Sequence, residues 1–88
     1  MTTLGKPYLP PTDRAVLQAI EQIVVENQEG IEDPFATEGM IEKLTGHPPG
    51  VDALALERLK KAALVSRQWC DTLAEYRLTN DGWRYVRA

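Results

Sequence analysis

The chain has 88 residues, of which 13 are acidic, 10 are basic and 43% are apolar, and its formal net charge is −3. This length allows one domain with one modest core, and the apolar content is sufficient for globular folding. The single Cys70 excludes an internal disulfide, and with His47 as the only histidine we expect no zinc site, no other metal and no cofactor. Without a signal-like or membrane-spanning apolar run, a reducing, cytoplasmic setting is expected.

The first third of the chain predicts an arm, residues 1–11, ahead of a domain that covers residues 12–88. Prolines and a glycine disfavour a helix in the arm. The apolar side chains of the arm that we expect to be buried are Leu4, Tyr8 and Leu9. Apolar spacing then predicts a helix from about Asp13 to about Gln28. Thr12 is its expected N-cap and Gly30 its left-handed C-terminal residue. Val25 falls outside the apolar stripe and is expected on the surface.

A second helix is predicted to turn Met40, Ile41 and Leu44 inward and to end at Gly46. Its N-cap is either Asp33, with Pro34 in the first turn, or Thr37, and the sequence does not separate these alternatives. Gly39 inside this helix suggests a close contact, because glycine there costs about 1 kcal/mol relative to alanine.

Residues 45–50 form the predicted turn into a third helix, and this turn is long and rich in proline. His47 has no evident partner and is expected to be a surface loop histidine. The third helix begins near Val51, and its core face is expected to consist of Ala55, Leu56, Leu59 and Ala63.

Alternating residues predict a hairpin with strands over 64–69 and 74–78 and a turn over 70–73. Val65, Arg67 and Trp69 then share one face, opposite Leu64, Ser66 and Gln68. Trp69 either covers the small core, which we favour, or stacks on a partner. Thr79 is the expected N-cap of a short last helix with Trp83, Tyr85 and Val86 on its apolar side.

One motif covers the C-terminal half: Leu56-x-x-Leu59-x-x-x-Ala63-Leu64-Val65-x-Arg67, then Tyr76-x-Leu78-Thr79-x-x-Gly82. It resembles winged helix-turn-helix domains. The resemblance implies an α+β, mainly α fold with three helices, a two-stranded β-hairpin wing and a short C-terminal helix. Ala63 stands where the family usually has glycine, at a position that often requires a left-handed backbone.

The resemblance also implies a DNA-binding, transcription-regulator-like domain that contacts double-stranded DNA through the third helix and the wing. A homodimer is expected, with the first helix and the arm as its surfaces. Charge supports this function, because residues 58–88 carry seven basic and three acidic residues while residues 1–36 carry two and six. The predicted DNA-contacting residues are Arg58, Lys61, Ser66, Arg67, Gln68, Trp69 and Arg77.

The start of the third helix favours an alternative function, a protein–protein interaction module on the same scaffold with a protein partner. Residues 50–54 include none of the side chains that make bidentate base contacts. Asp52 is expected to repel phosphates, and Leu54 is expected to be exposed. An enzyme is not expected, since the chain has no nucleophile elbow, phosphate-binding glycine loop or HExxH motif, and Cys70 has no histidine near it in sequence.

Overall fold

Four helices and one antiparallel hairpin make up the described part of the chain, residues 8–30 and 32–87 of a computed structural model. The elements are α1 Pro11–Glu26, α2 Glu38–Thr45, α3 Val51–Lys61, β1 Val65–Cys70, β2 Leu73–Leu78 and α4 Asn80–Arg87. This order confirms the predicted α+β layout of three helices, a two-stranded hairpin and a short C-terminal helix. No helix in residues 8–30 and 32–87 is both long and apolar enough to cross a membrane.

The core forms where α1 packs on α3, with α2, the hairpin and α4 closing its sides. Helices α1 and α3 contribute buried side chains at three- and four-residue spacings, as expected of amphipathic helices, and α2 contributes Ile41. The fully buried apolar residues are Val16, Leu17, Ile20, Ala36, Ile41, Ala55 and Leu59. The predicted inward positions Leu56 and Val65 are also buried, and Val25 and Leu54 are exposed as predicted.

The predicted ends of α1 were wrong by two residues at each terminus. The helix begins at Pro11 because proline suits the first helical position, so Thr12 lies inside the helix and Pro10 takes the cap position without a side-chain bond. The helix ends at the C-cap Asn27, whose side chain donates to the Ile23 carbonyl oxygen at 2.7 Å. Gly30 therefore does not follow the last turn directly.

Of the two described arm side chains that were expected to be buried, one is buried. Leu9 is buried, whereas Tyr8 is 81% exposed. The third residue, Leu4, lies outside the described residues, as does Ile31 after α1.

The structure decides the N-cap of α2 in favour of Thr37, whose hydroxyl accepts a hydrogen bond from the Met40 amide at 3.3 Å. Only Ile41 points fully inward. The inward predictions for Met40 and Leu44 were wrong, because α2 has just eight residues and packs through a single narrow face. The close contact predicted at Gly39 is also absent, since the nearest atom to an added Cβ there would be 4.0 Å away.

α3 ends earlier than predicted, so Ala63 is not part of its core face. Ala63 is exposed and adopts a left-handed backbone with φ of 62°. That conformation turns the chain out of the helix, and the Leu64 amide donates to the Leu59 carbonyl at 3.0 Å. The left-handed backbone expected at this position is therefore present, although the residue is alanine.

β1 begins and ends one residue later than predicted and β2 begins one residue earlier, so the turn is only Asp71 and Thr72, with φ of 56° at Asp71. Pairing of Val65 with Leu78, Arg67 with Tyr76 and Trp69 with Ala74 places these six side chains on one face. This is the face that packs on the core, as the burial of Val65, Tyr76 and Leu78 shows. Ala36 extends the sheet by bridging to Tyr76 on the outer side of β2.

Thr79 caps α4 as predicted: its hydroxyl accepts from the Gly82 amide at 3.0 Å. The same hydroxyl donates to the Ala63 carbonyl at 2.6 Å, which ties α4 to the end of α3. Trp83, Tyr85 and Val86 are partly buried against the core, in agreement with the expected apolar side.

Candidate nucleic-acid interface

A mixed charge cluster lies where α3 meets the wing. Glu57 stands on the outer face of α3, and its Oε2 accepts a hydrogen bond from Arg67 Nη1 of β1 at 2.5 Å. Lys60 and Lys61 follow Glu57 by three and four residues, so they lie on the same side of the helix. We call Glu57, Lys60, Lys61 and Arg67 the α3–wing cluster. It holds three positive charges and one negative charge.

The pKa of Glu57 is changed by its charged neighbours. The hydrogen bond and the charge of Arg67 lower the pKa of Glu57, and the ammonium groups of Lys60 and Lys61 lower it further. The pKa of Arg67 is raised, first by its contact with the Tyr76 hydroxyl and then by Glu57. Glu57 and Arg67 therefore stabilise each other's charged forms.

Arg67 is the fixed member of the cluster. Its side chain is 21% exposed, against 52% for Glu57. Arg67 pairs with Tyr76 on the opposite strand, and its guanidinium lies 5.5 Å from the centre of the Trp69 ring. These two aromatic neighbours restrict the side chain of Arg67, whose Nη1 is directed at Glu57.

Arg58 forms an ion pair with Asp13 of α1. It makes three hydrogen bonds to the Asp13 carboxylate, the shortest 2.7 Å from Nη2 to Oδ1, and Asp13 is buried in the first turn of α1. This contact raises the pKa of Arg58. Because a buried carboxylate requires a paired charge, Arg58 serves to join α3 to α1, a role that the sequence did not reveal.

The seven predicted DNA-contacting residues do not form one surface. Ser66, Gln68 and Arg77 lie on the solvent face of the hairpin, opposite the face of Arg67 and Trp69. Arg77 is directed at the loop before α2, where its Nε is 3.1 Å from Asp33 Oδ1 and its guanidinium is 5.4 Å from the Phe35 ring. The structure brings together Lys61, Arg67 and Trp69, and Lys60, which the sequence suggests as a further phosphate contact beside Lys61, lies with them.

The expectation that Asp52 faces outward and repels phosphates was wrong. Asp52 is fully buried, accepts a hydrogen bond from Thr45 Oγ1 at 2.7 Å, and lies 2.8 Å from His47 Nδ1. His47 consequently has a partner and is only partly exposed. The signal was available in the sequence, because an acidic residue in the first turn of a helix often binds the polar groups of the preceding turn. This contact fixes the long turn between α2 and α3.

With Asp52 turned inward, the outer surface at the start of α3 is apolar. Leu54 is 64% exposed, and Val51 and Ala53 are half-buried. None of these side chains can donate a hydrogen bond to a base edge.

The wing tip carries a second exposed apolar surface. Trp69 is 59% exposed and does not fold back over the core, contrary to the interpretation that the sequence favoured. Together with Leu73 and Ala74 it lines a shallow depression of about 380 Å³, whose other wall is Thr37 and Gly39 at the start of α2. Trp69 thus lies between this depression and Arg67.

The fold has a winged-helix-like layout, and charged residues of α3 and β1 lie next to each other on its surface. Across the described ranges, no three His, Cys, Asp or Glu side chains are grouped closely enough to hold a metal ion. Neither a scan against protein-family models nor a search of curated proteins finds a match for this chain.

Proposed function

We propose that this chain is a winged-helix domain of a transcription-regulator-like protein that binds the phosphate backbone of duplex DNA without reading base edges. The observation that carries the proposal is the α3–wing cluster, which places three cations around one carboxylate on the surface shared by α3 and β1. A local excess of positive charge attracts phosphate even when the whole protein is acidic.

Lys60 and Lys61 are the groups best suited to the first phosphate contact. Both are exposed, and neither forms an ion pair within 4.0 Å in the described part of the chain. Their ammonium groups can therefore exchange water and counterions for phosphate oxygens, and the released counterions favour binding at low salt.

The absence of base readout follows from the start of α3. In helix-turn-helix proteins the first residues of this helix approach the base edges. Here that surface presents Leu54 and two smaller apolar side chains, while the polar Asp52 is turned inward. Affinity should therefore depend strongly on salt and little on DNA sequence.

The direct test is fluorescence anisotropy of a labelled random-sequence duplex at low and near-physiological salt. We expect the parent protein to bind at low salt and to weaken steeply as salt rises. The double variant Lys60→Ala/Lys61→Ala should bind about tenfold more weakly at low salt, and the slope of log affinity against log salt should fall by about two, because two phosphate contacts are lost.

Arg84→Ala/Arg87→Ala is the matched control, because it also removes two positive charges, but from α4, which packs mainly on α1 and β2. This control should keep the parent salt slope. Equal losses in the two double variants would show that net charge, and not the α3–wing cluster, governs binding.

A protein–protein interaction module remains a second candidate, favoured by the wing-tip depression with Trp69 and Leu73 exposed beside α2. Exposed aromatic residues next to a groove are typical anchors of protein interfaces. If the parent protein shows no duplex binding even at low salt, this function replaces the first. The homodimer and the cytoplasmic setting stay predictions, and sedimentation of the parent protein would test the first of them.

A further inference from the structure

We infer that Glu57 is an internal counter-ion that occupies the place of a DNA phosphate on Arg67 and thereby limits the affinity of the α3–wing cluster. The inference rests on the proposed function and concerns the regulation of that same site. It assigns to an acidic residue of the interface a role that neither the motif nor the basic residues suggested.

The first argument is geometric. Arg67 pairs with Tyr76 across the two strands and lies 5.5 Å from the centre of the Trp69 ring, and its Nη1 donates a hydrogen bond to Glu57 Oε2. A phosphate oxygen would bind a guanidinium in the same way as a carboxylate oxygen does. The two anions therefore compete for the same outward hydrogen-bond donor.

The second argument concerns which partner can leave. Glu57 is the more exposed side of the pair and is attached to α3 by a flexible side chain, whereas Arg67 is mostly covered. A surface ion pair of this kind is easily exchanged, because water solvates the released carboxylate well. Arg67 can thus keep its position while Glu57 swings away.

The third argument concerns charge and defines the ligand. A phosphate that displaces Glu57 leaves a free carboxylate close to the bound anion, and this repulsion must be offset by Lys60 and Lys61. One isolated phosphate cannot contact all three cations as a chain of phosphates can. The cluster should therefore favour the closely spaced phosphates of a nucleic-acid backbone over free inorganic phosphate.

The experiment compares duplex affinity of the parent protein with that of Glu57→Gln, which keeps the size of the side chain and removes its charge. We expect Glu57→Gln to bind the random duplex about fivefold more tightly at low salt, the effect of one unit charge a few ångströms from a phosphate in water. Glu29→Gln is the matched control, because Glu29 is exposed beyond the far end of α1. It should change affinity less than twofold.

A double-mutant cycle separates the counter-ion role from a general charge effect. In an Arg67→Ala background the gain from Glu57→Gln should fall below twofold, because the guanidinium for which the anions compete is gone. Circular dichroism of each variant verifies that the fold is kept.

The outcomes distinguish the two proposals. Tighter binding by Glu57→Gln that depends on Arg67 supports the inference. If the parent binds and Glu57→Gln binds no more tightly than Glu29→Gln, the counter-ion role is overturned while the proposed function stands. If the parent does not bind the duplex at low salt, both proposals are overturned.

Discussion

At the scale of single residues, Ala63 shows how the chain accepts local strain for a sharp change of direction. Its left-handed φ of 62° helps to bring the chain from α3 into β1 across only three connecting residues. A left-handed backbone costs a residue with a Cβ about 1–2 kcal/mol, whereas glycine adopts it freely. The strain is held by the bonds on either side, from Leu64 to Leu59 and from Thr79 to the Ala63 carbonyl.

Replacing this alanine should stabilise the domain. We expect Ala63→Gly to raise the free energy of unfolding by about 0.5–1 kcal/mol, because the relief of strain exceeds the added entropy of the unfolded chain. For a domain of this size the melting temperature should rise by roughly 2–8 °C. Thermal unfolding followed by circular dichroism measures the change.

The adjacent Ala62 is the matched control, since it is equally exposed but has an ordinary φ of −79°. Ala62→Gly should lower the melting temperature. If both substitutions lower it, Ala63 is not strained in solution.

At the scale of elements, α4 is positioned by the close approach of its first turn to the segment that leads into β1. The Thr79 amide donates to the Leu64 carbonyl at 3.1 Å, and Gly82 is buried directly against that same carbonyl. A Cβ on Gly82 would overlap the Leu64 carbonyl oxygen, which is backbone and cannot rotate away. The glycine of the motif is therefore a packing requirement between α4 and the end of α3.

We expect Gly82→Ala to lower the free energy of unfolding by about 1–3 kcal/mol, because α4 must move away from the core to relieve the overlap. Urea unfolding measures the loss. Near-ultraviolet circular dichroism should change as well, since the partly buried Trp83 follows Gly82 in α4.

Gly39→Ala provides the comparison, as this glycine also lies in the first turn of a helix but has open space around it. It should leave stability unchanged or raise it by up to about 1 kcal/mol. A similar loss in both variants would mean that helix geometry, and not contact with Leu64, explains the glycine.

At the scale of the whole molecule, the surface is governed by pairing of opposite charges across elements. Arg58 binds Asp13 of α1, Arg67 binds Glu57 of α3, and Arg77 binds Asp33 before α2. The basic C-terminal half and the acidic N-terminal half that the sequence shows are thus partly neutralised by folding. The α3–wing cluster keeps two exposed lysines, Lys60 and Lys61, that form no ion pair among the described residues.

The single core makes stability sensitive to α3. Leu59 is fully buried at the centre of the α1–α3 contact, and we expect Leu59→Ala to cost about 2–5 kcal/mol, a large part of the stability of a small domain. The variant should melt far below the parent or lack a cooperative transition altogether.

Leu54→Ala, the same substitution five residues earlier on the exposed side of the helix, should change stability by less than about 0.5 kcal/mol. Similar melting temperatures for Leu54→Ala and Leu59→Ala would show that the face of α3 has been assigned wrongly.

The sequence by itself determined the order of elements, the core face of α3 and the cap of α4. These depend on local periods and local hydrogen bonds: the spacing of Ala55, Leu56 and Leu59, the alternation around Val65, and the Thr79 hydroxyl three residues before the Gly82 amide. The left-handed residue at position 63 was likewise visible through the motif.

Only the tertiary structure decided which charged residues are available to a partner. The choice between solvent, carboxylate and phosphate for Arg58 and Arg67 depends on residues 45 and 10 positions away in the chain, which no local pattern encodes. The outward position of Trp69 arose in the same way, because it depends on how the neighbouring elements pack. Periodicity fixes the face of an element, whereas the partner of a long polar side chain is set by contacts that exist only after the elements have assembled.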